Sequence, residues 1–525
     1  MSTLGVWRNS PVLRLGLTLT CSLAFMLALL LAMGAARSPD VALAQGLTIR
    51  YVDCATGSDG GNDCADSSAP CATIQHAVDV ADSGDEIRVA TGTCTDVQSR
   101  AGISQVVYVS KTVTLRGGYT TTNWMASYPL TQPTTLDAGD QGRVLYISGD
   151  ISATVEGLCI TGGNATGLGG DRAGRDAGGG VYVITATVNI GSNSVFSNSA
   201  PGNSYGGGLF LFNSDAALSG NNVTSNTAKF GGGLYFDNYL DSSAVVTLTG
   251  NTVSRNTANT HAGGLSFLDS LSVTLMANTI RDNEAKGGGL NYAGGARFQD
   301  CDHATLIGNI VSGNRALNRC GGLCFEGSDS VMLEGNILMG NLAGAQDAGG
   351  GLYLDRSNAT LSNNVIADNQ AGVGGGFFVG RSSARLLHTT IARNSSGDGS
   401  GVYVTNDGSG YSTVAMTNTI LVSHTVGITV TVGNTATLEG VLWYSNTIND
   451  GGEGTITVTN AYTGDPAFGV DGYHLRFLSE AVDKGGDVEV EDDIDGHPRP
   501  QGRSYDLGAD EVNCLYLPVL LKNSG

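Results

Sequence analysis

Asp300-Cys301-Asp302-His303, with Arg281 upstream and Arg315 downstream, is the strongest local gathering of acids, imidazole and guanidinium groups in the middle of this 525-residue chain. Cutting a glycan takes two carboxylates about 5 to 9 Å apart, or a base beside a cation that acidifies a sugar proton. These residues have the right types. Their neighbours Asp269, Asp282 and Glu284 read as solvated loop acids, however, and a hydrated loop is the commoner fate of such a group. Cys301, Cys320 and Cys324 add a second chemistry. With His303 they could hold zinc, but the spacing is not that of a zinc knuckle, and an oxidising location favours a disulfide within the trio.

A third candidate set comes from strand alternation. In strands of the Gly-Gly-Leu-x-Phe type the first and third apolar residues point inward and the one between points out. The outward set contains Tyr182, Phe210, Tyr235, Tyr353, Phe378 and Tyr403, two groups of three rings at regular spacing. Such rings stack against sugar faces, which makes them the candidate ligand-binding residues; more often they pack under a loop or stabilise the sheet. A fourth set lies in the acidic tail. Asp493-x-Asp495-Gly496 resembles the start of a calcium loop, but the twelfth position is Ser504 rather than Glu, so the EF-hand pattern fails. Calcium at Asp493 and Asp495 is the only cofactor expected. The alternative is carboxylates that are solvated or paired with Arg499 and Arg503.

The elements that position these residues are written in an internal repeat of about 28 residues. Gly-Asn-Asn-Val-Thr-Ser-Asn-Thr-Ala (220 to 228) recurs as Gly-Asn-Thr-Val-Ser-Arg-Asn-Thr-Ala (250 to 258) and as Gly-Asn-Ile-Val-Ser-Gly-Asn-Arg-Ala (308 to 316). Its second Asn forms a column: Asn198, Asn226, Asn256, Asn283, Asn314, Asn341, Asn369 and Asn394. Three residues earlier stands Val195, Val223, Val253, Ile280, Val311, Leu338, Ile366 and Ile391. Eight earlier stands a column from Ile190 to Leu386. Spacing inside the blocks is fixed and the linkers vary, as stacked coils require. A leucine-rich repeat would need a helical return arm, and a propeller blade about 40 residues. The expected fold is an all-β right-handed parallel β-helix. The Asn column is expected to take the left-handed corner conformation and to bond from coil to coil, and the Gly pairs to line the next bend.

The ends differ. Arg8 and Arg14 precede an apolar stretch and Val41-Ala42-Leu43-Ala44, which reads as a cleaved secretory signal over 1–44; the alternative is an uncleaved membrane anchor. Residues 45–85 form a cysteine-rich segment, whose Cys54, Cys64 and Cys71, with Cys94 just beyond it, are suited to one or two disulfides whose pairing the sequence leaves open. They include a cap helix with Ile74, Ala77, Val78 and Ala81 on one face, Thr73 before it and Gly84 after it. The helix proper is assigned to 86–448, and the acidic tail, 449–525, is expected to cover its far end. A formal charge of −21 excludes attraction to nucleic acid or anionic membranes through the overall field.

Tyr-Val-Asp-Cys-Ala-Thr-Gly-Ser-Asp (51 to 59), Pro-Cys-Ala-Thr-Ile-Gln-His-Ala (70 to 77) and Gly-Asp-Glu-Ile-Arg-Val-Ala-Thr-Gly-Thr (84 to 93) resemble the opening of bacterial exported proteins of the pectin-lyase-like β-helix superfamily. The repeats are similar to those of polymorphic outer-membrane proteins. In the tail, Asp483-Lys484-Gly485, Asp493-Ile494-Asp495-Gly496-His497-Pro498-Arg499-Pro500 and Asp506-Leu507-Gly508-Ala509-Asp510-Glu511 resemble the choice-of-anchor module that follows such helices; Glu480 stands where that module has Pro. The superfamily holds lyases and hydrolases as well as adhesins, so fold alone does not assign activity. The ordered Asn-x-Asp, Asp-Asp, Gly-His-Gly, Arg-x-Lys set of its pectin hydrolases does not occur here. The expectation is therefore a secreted or surface-displayed binding or scaffold protein without catalysis, in contact with polysaccharide or a cell-envelope component. The alternative is a polysaccharide lyase or glycoside hydrolase. A membrane is a partner only if the N-terminal segment stays uncleaved.

Overall fold

A computed structural model describes residues 47–512, apart from 101, 241–242 and 288–292. The expected signal segment and the last thirteen residues lie outside the described residues. Each coil of the repeat supplies strands on three faces. One coil runs through Leu209–Phe212, Asp215–Ser219 and Asn222–Thr224; the next runs through Leu234–Asp237, Val245–Thr249 and Thr252–Ser254. Strands of successive coils pair in parallel. The columns read from the sequence are the registers of these pairs: Val195 faces Val223, then Val253, Ile280, Val311, Leu338, Ile366 and Ile391. Ile190, Leu218, Leu248 and Leu275 superpose in the same way on the next face. This is a right-handed parallel β-helix, closed on an apolar interior. Inside it Phe236, Phe267, Phe298 and Phe325 stack with ring centroids 4.6 to 4.9 Å apart, all fully buried.

The corners are built from side-chain amides. Asn226 Oδ1 accepts from both the backbone N–H and the Nδ2 of Asn198, at 3.0 Å each. Its own Nδ2 donates to Val195 O and to Asn256 Oδ1, and the pattern repeats to Asn394. Every buried polar atom of the amide has a partner, so the column is stable without water. One detail differs from expectation. The left-handed residue is the one before each ladder Asn: Ser197, Ser225, Arg255, Asp282 and Gly313 have φ of 54 to 62°. That turn swings the following Asn inward, where it stacks. A second ladder, Asn193, Asn221, Asn251, Asn278, Asn309, Asn336 and Asn364, runs along the preceding corner. At the Gly bend, a Cβ on Gly207 would lie 2.3 Å from Thr227 O.

The N-terminal end is sealed. Helix α1 (Ile74–Val80) starts at Thr73, whose hydroxyl accepts from His76 N, and ends at Ala81. It lays Ile74, Ala77 and Val78 on the first coil. Disulfides Cys54–Cys94 and Cys64–Cys71 clamp the approach. The tail does not cover the opposite end as expected; it lies along the side of the last coils. Leu475, Ala481, Leu507 and Ala509 bury against Val365, Ala392, Ile420 and Leu442. The residues of the tail motif hold it there. Arg499, fully buried, pairs with Glu511 at 2.8 Å and donates to the carbonyls of Gly508 and Ala509. Asp506 accepts from the N–H groups of Asp483 and Val512, and Ala509 N donates to Thr390 Oγ1 on the helix. Among the described residues no helix is long and apolar enough to cross a membrane.

Candidate functional site

The outward aromatic rings stack as the alternation requires, but they are covered. Tyr182, Phe210, Tyr235 and Tyr353 are each at most 5% exposed. Tyr108, Tyr146, Tyr182, Phe210 and Tyr235 form one continuous stack with centroids 4.9 to 5.8 Å apart. The Gly-rich segment 165–177 folds over it: Tyr182 Oη donates to Gly170 O, and Arg143 lies over the Tyr182 ring at 4.6 Å while its Nε donates to Ala177 O. Burial pushes the Tyr182 phenol up to about 12. The second group, Tyr353, Phe378 and Tyr403, also stacks; Phe378 and Tyr403 are half-buried, and Ala348 and Val373 pack in the same cluster as Tyr353 and Phe378. Tyr182, Phe210, Tyr235 and Tyr353 are packed away and offer no open platform for a ligand, whereas Phe378 and Tyr403 keep part of their surface accessible.

The acid–imidazole–guanidinium gathering is dispersed by the coil. Asp300 and His303 occupy left-handed corner positions directly before the Thr305–Ile307 strand, and Asp302 accepts from Asp329 N on the next coil. Arg281 and Arg315 sit two corners further round, where Arg281 pairs with Asp282 and Arg315 with Glu284. Sequence proximity does not survive the turn of the chain. The cysteine trio is also corrected: Cys301, Cys320 and Cys324 are free buried thiols rather than a disulfide. Cys301 fills a place in a serine column, with its N–H donating to Ser328 Oγ as Ser328 N does to Ser357 Oγ. Burial raises all three thiols, Cys301 to about 12, which makes them poor nucleophiles and poor metal ligands.

An open site exists on the early coils instead. After the strand Thr114–Tyr119, residues 120–133 form an overhang pinned by Tyr128 N to Gly118 O, Ser127 Oγ to Gly117 O, and Gly92 N to Pro133 O. The pinning holds apolar side chains in water: Leu130 is 97% exposed and Met125 87%. Beneath lies a groove of about 750 Å³, walled by Tyr128, Pro129, Leu130 and Pro133 and floored by Cys159, Ser194 and Asn222 of three successive coils. On the other side of the overhang, Arg116, Tyr119, Glu156 and Ser192 line a further 410 Å³.

A charge ladder crosses the coils at that edge. Arg88 and Arg116 both bond Glu86, at 3.1 and 3.0 Å, and Arg116 reaches Glu156 at 2.7 Å. Tyr119 Oη donates to Glu86, and Arg88 lies over the Tyr119 ring. Burial would raise Glu86, but the hydrogen bond and charge of Arg88, with the charge of Arg116, hold it below the usual carboxylate range. A glycosidase needs one carboxyl raised so that it can donate a proton. Here the guanidinium between the two acids works against that. The sequence signal was present as charges on alternate, outward positions: Glu86 and Arg88, Arg116, then Glu156.

In the tail, Asp493 accepts from the N–H groups of Asp495, His497 and Glu511, which makes it the organiser of a turn. Asp495 instead faces His474 Nε2 at 2.7 Å. Acid and histidine side chains do cluster here, in two groups: His474, Asp495 and Asp510; and Asp493, Asp495 and His497. For His474, the cost of burial is outweighed by the hydrogen bond to Asp471 and the charges of Asp510 and Asp495, and its pKa is raised.

Residues 239–440 match the family model described as right handed beta helix region. Among solved structures, the chain is similar to XylC, determined as a complex with xylose, at 10% identity and a TM-score of 0.48 over 88% of this chain and 98% of that one. It is similar to PfbA, a surface adhesin of Streptococcus pneumoniae, at 11% identity and 0.36 over 74% and 86%. It is similar to pectate lyase Pel9A at 13% identity and 0.28 over 89% and 96%. No curated protein sequence matches. The fold rests on the strand registers described above and not on these likenesses.

Proposed function

We propose that this chain is an exported, non-catalytic β-helix that binds carbohydrate or another cell-envelope component in the groove beneath the 120–133 overhang. One observation carries the reading: a hydrogen-bonded loop holds Leu130 almost fully in solvent at the rim of a 750 Å³ groove and Met125 at the rim of the adjoining 410 Å³ one. Apolar side chains fixed in water beside convergent polar groups mark recognition surfaces. Export is supported by the two disulfides at the start of the described chain and by the signal-like residues 1–44. The coils run on past residue 448 through Ile448–Gly451 and Thr455–Thr463, which pair in parallel with the preceding coil; the remainder of 449–525 is read as a choice-of-anchor-type module, and its acid–histidine groups as a cation site, with calcium the cation expected from the sequence.

The test is to pass the purified mature protein through gels containing a panel of acidic and neutral polysaccharides, and to assay the same mixtures for new reducing or unsaturated ends. Retardation by at least one polysaccharide without product is the expected result. Product release abolished by Arg116→Ala would replace this reading with a polysaccharide lyase or glycoside hydrolase.

A further inference from the structure

The two ends of the coil stack are finished differently. The first coil is sealed by α1 and clamped by two disulfides. The last coil consists of Ile448–Gly451 and Thr455–Thr463, which pair with Val426–Val430 and Thr435–Tyr444 on one side. Among the described residues no strand pairs with their outer edge, since the tail that follows packs along the side, on Val365, Ile420 and Leu442. Ile456 and Val458 continue the interior columns of Ala436 and Leu438, yet both keep part of their surface accessible. The stack therefore stops on an open edge with its apolar interior showing.

An open strand edge is a template for another strand, and native sheets blunt such edges with Lys, Pro or bulges. Residues 455–463 do none of this. They read Thr-Ile-Thr-Val-Thr-Asn-Ala-Tyr-Thr, with no charge and no proline, and six of the nine are β-branched. The chain carries −21 overall, but Asp450 and Glu453 of the last coil lie before this strand rather than in it.

The ladder also fixes which groups stand unpaired. Thr455 N donates to Asn434 O of the preceding coil. Along a parallel strand, alternate residues turn their N–H and C=O to opposite neighbours. Thr457 and Thr459 thus bond backwards as Thr455 does, and the N–H and C=O of Ile456 and Val458 project from the open end. A two-fold axis through Thr457 sets Ile456 opposite Val458 of a second copy, and Val458 opposite its Ile456. Both pairs are then hydrogen-bonded pairs of an antiparallel ladder. Side-chain alternation has period two, so inward residues of one copy meet inward residues of the other and the two interiors close on each other. The edge is complementary to itself, as an isologous contact requires, and head-to-tail growth is blocked by the cap on the first coil.

We propose that two copies of this chain associate end to end through Thr455–Thr459, antiparallel about a two-fold axis at Thr457. Sedimentation velocity of the mature full chain over a range of concentrations tests this, and a dimer that dissociates on dilution is expected. Val458→Pro removes an N–H that the monomer's own ladder does not use. It weakens association at least about 10-fold, one hydrogen bond being lost on each side of the axis, and leaves the unfolding midpoint unchanged. Thr457→Cys reports even where the proline variant fails to fold. At the axis this residue meets its own copy at about 4.5 Å between Cα atoms, within disulfide reach. Oxidised glutathione should link Thr457→Cys into a covalent dimer, beyond the native chain treated alike, and should not link Thr455→Cys or Thr459→Cys. A monomer at every concentration overturns the proposal, and slow-exchanging Ile456 and Val458 amides in that monomer would assign the edge to another segment of the same chain. A dimer untouched by Val458→Pro, or linked as readily through Thr455→Cys as through Thr457→Cys, overturns it by placing the contact elsewhere.

Discussion

The middle coils and the early coils share one architecture, yet they spend their outer surface in opposite ways. From Asn193 to Asn394 the corners are closed by asparagine ladders, two of them as far as Asn364, and the outward rings from Tyr182 to Tyr353 are buried. Between Glu86 and Thr161 the ladders have not begun. There the surface carries a part-buried charge ladder and an apolar overhang that stands in solvent. Regularity is bought at the corners, where every amide must be satisfied by its copy one step above. Irregularity, confined to an insertion that need not repeat, is where a binding surface can form without disturbing the stack.

The largest effect that would sharpen this contrast is in the interior. Phe267→Ala removes the centre of the phenylalanine stack and should cost about 3 to 5 kcal/mol in chemical denaturation. Asn283→Ala comes next. It strips partners from Asn256 N, Asn256 Nδ2 and Val253 O, all buried, and at about 1 kcal/mol or more for each orphaned group the loss should reach about 3 kcal/mol. An effect below about 1 kcal/mol would break the claim that the ladder holds the corner.

A smaller, local effect separates the helix from its tail by pH. His424 continues the asparagine column, with its N–H donating to Asn446 Oδ1, and burial depresses its pKa to about 4. The unfolded chain then takes up the proton first, so this corner loses stability as pH falls from 6.5 toward 4. Asp506 is the reverse: burial raises it to about 7, so the folded tail binds the proton more tightly and gains stability as pH falls through 7. Hydrogen exchange corrected for its intrinsic pH dependence should show protection falling around His424 and rising around Asp506. Movement of both in one direction would contradict these environments.

The coil columns were legible because stacking demands the same residue type at each step, so Val223, Val253 and Ile280 announce their register in plain sequence. The first Asn of each block was equally regular, and a second ladder could have been read from it. Cover of Tyr182 and Phe210 was one of the two readings the sequence offered, but the segment that covers Tyr182 was not legible, since it is a Gly-rich insertion with no repeat partner. The scattering of Arg281 from Asp302 was hidden for the same reason that the columns were visible: neighbours in sequence are carried to different corners. The overhang gave no signal either, because exposure of Leu130 depends on the hydrogen bonds that pin its loop. In the tail, the spacing of Arg499 and Glu511 held information about packing rather than chemistry.

The account's central claim, that binding belongs to the overhang and not to the aromatic stripe, is tested by comparing two triple variants for retention on the polysaccharide that best retards the native chain. Met125→Ala/Tyr128→Ala/Leu130→Ala should abolish retention while leaving the unfolding free energy within about 0.5 kcal/mol of the native value. Tyr353→Ala/Phe378→Ala/Tyr403→Ala should lose stability and, while folded, keep full retention. Retention lost from the second variant and kept by the first would contradict the account.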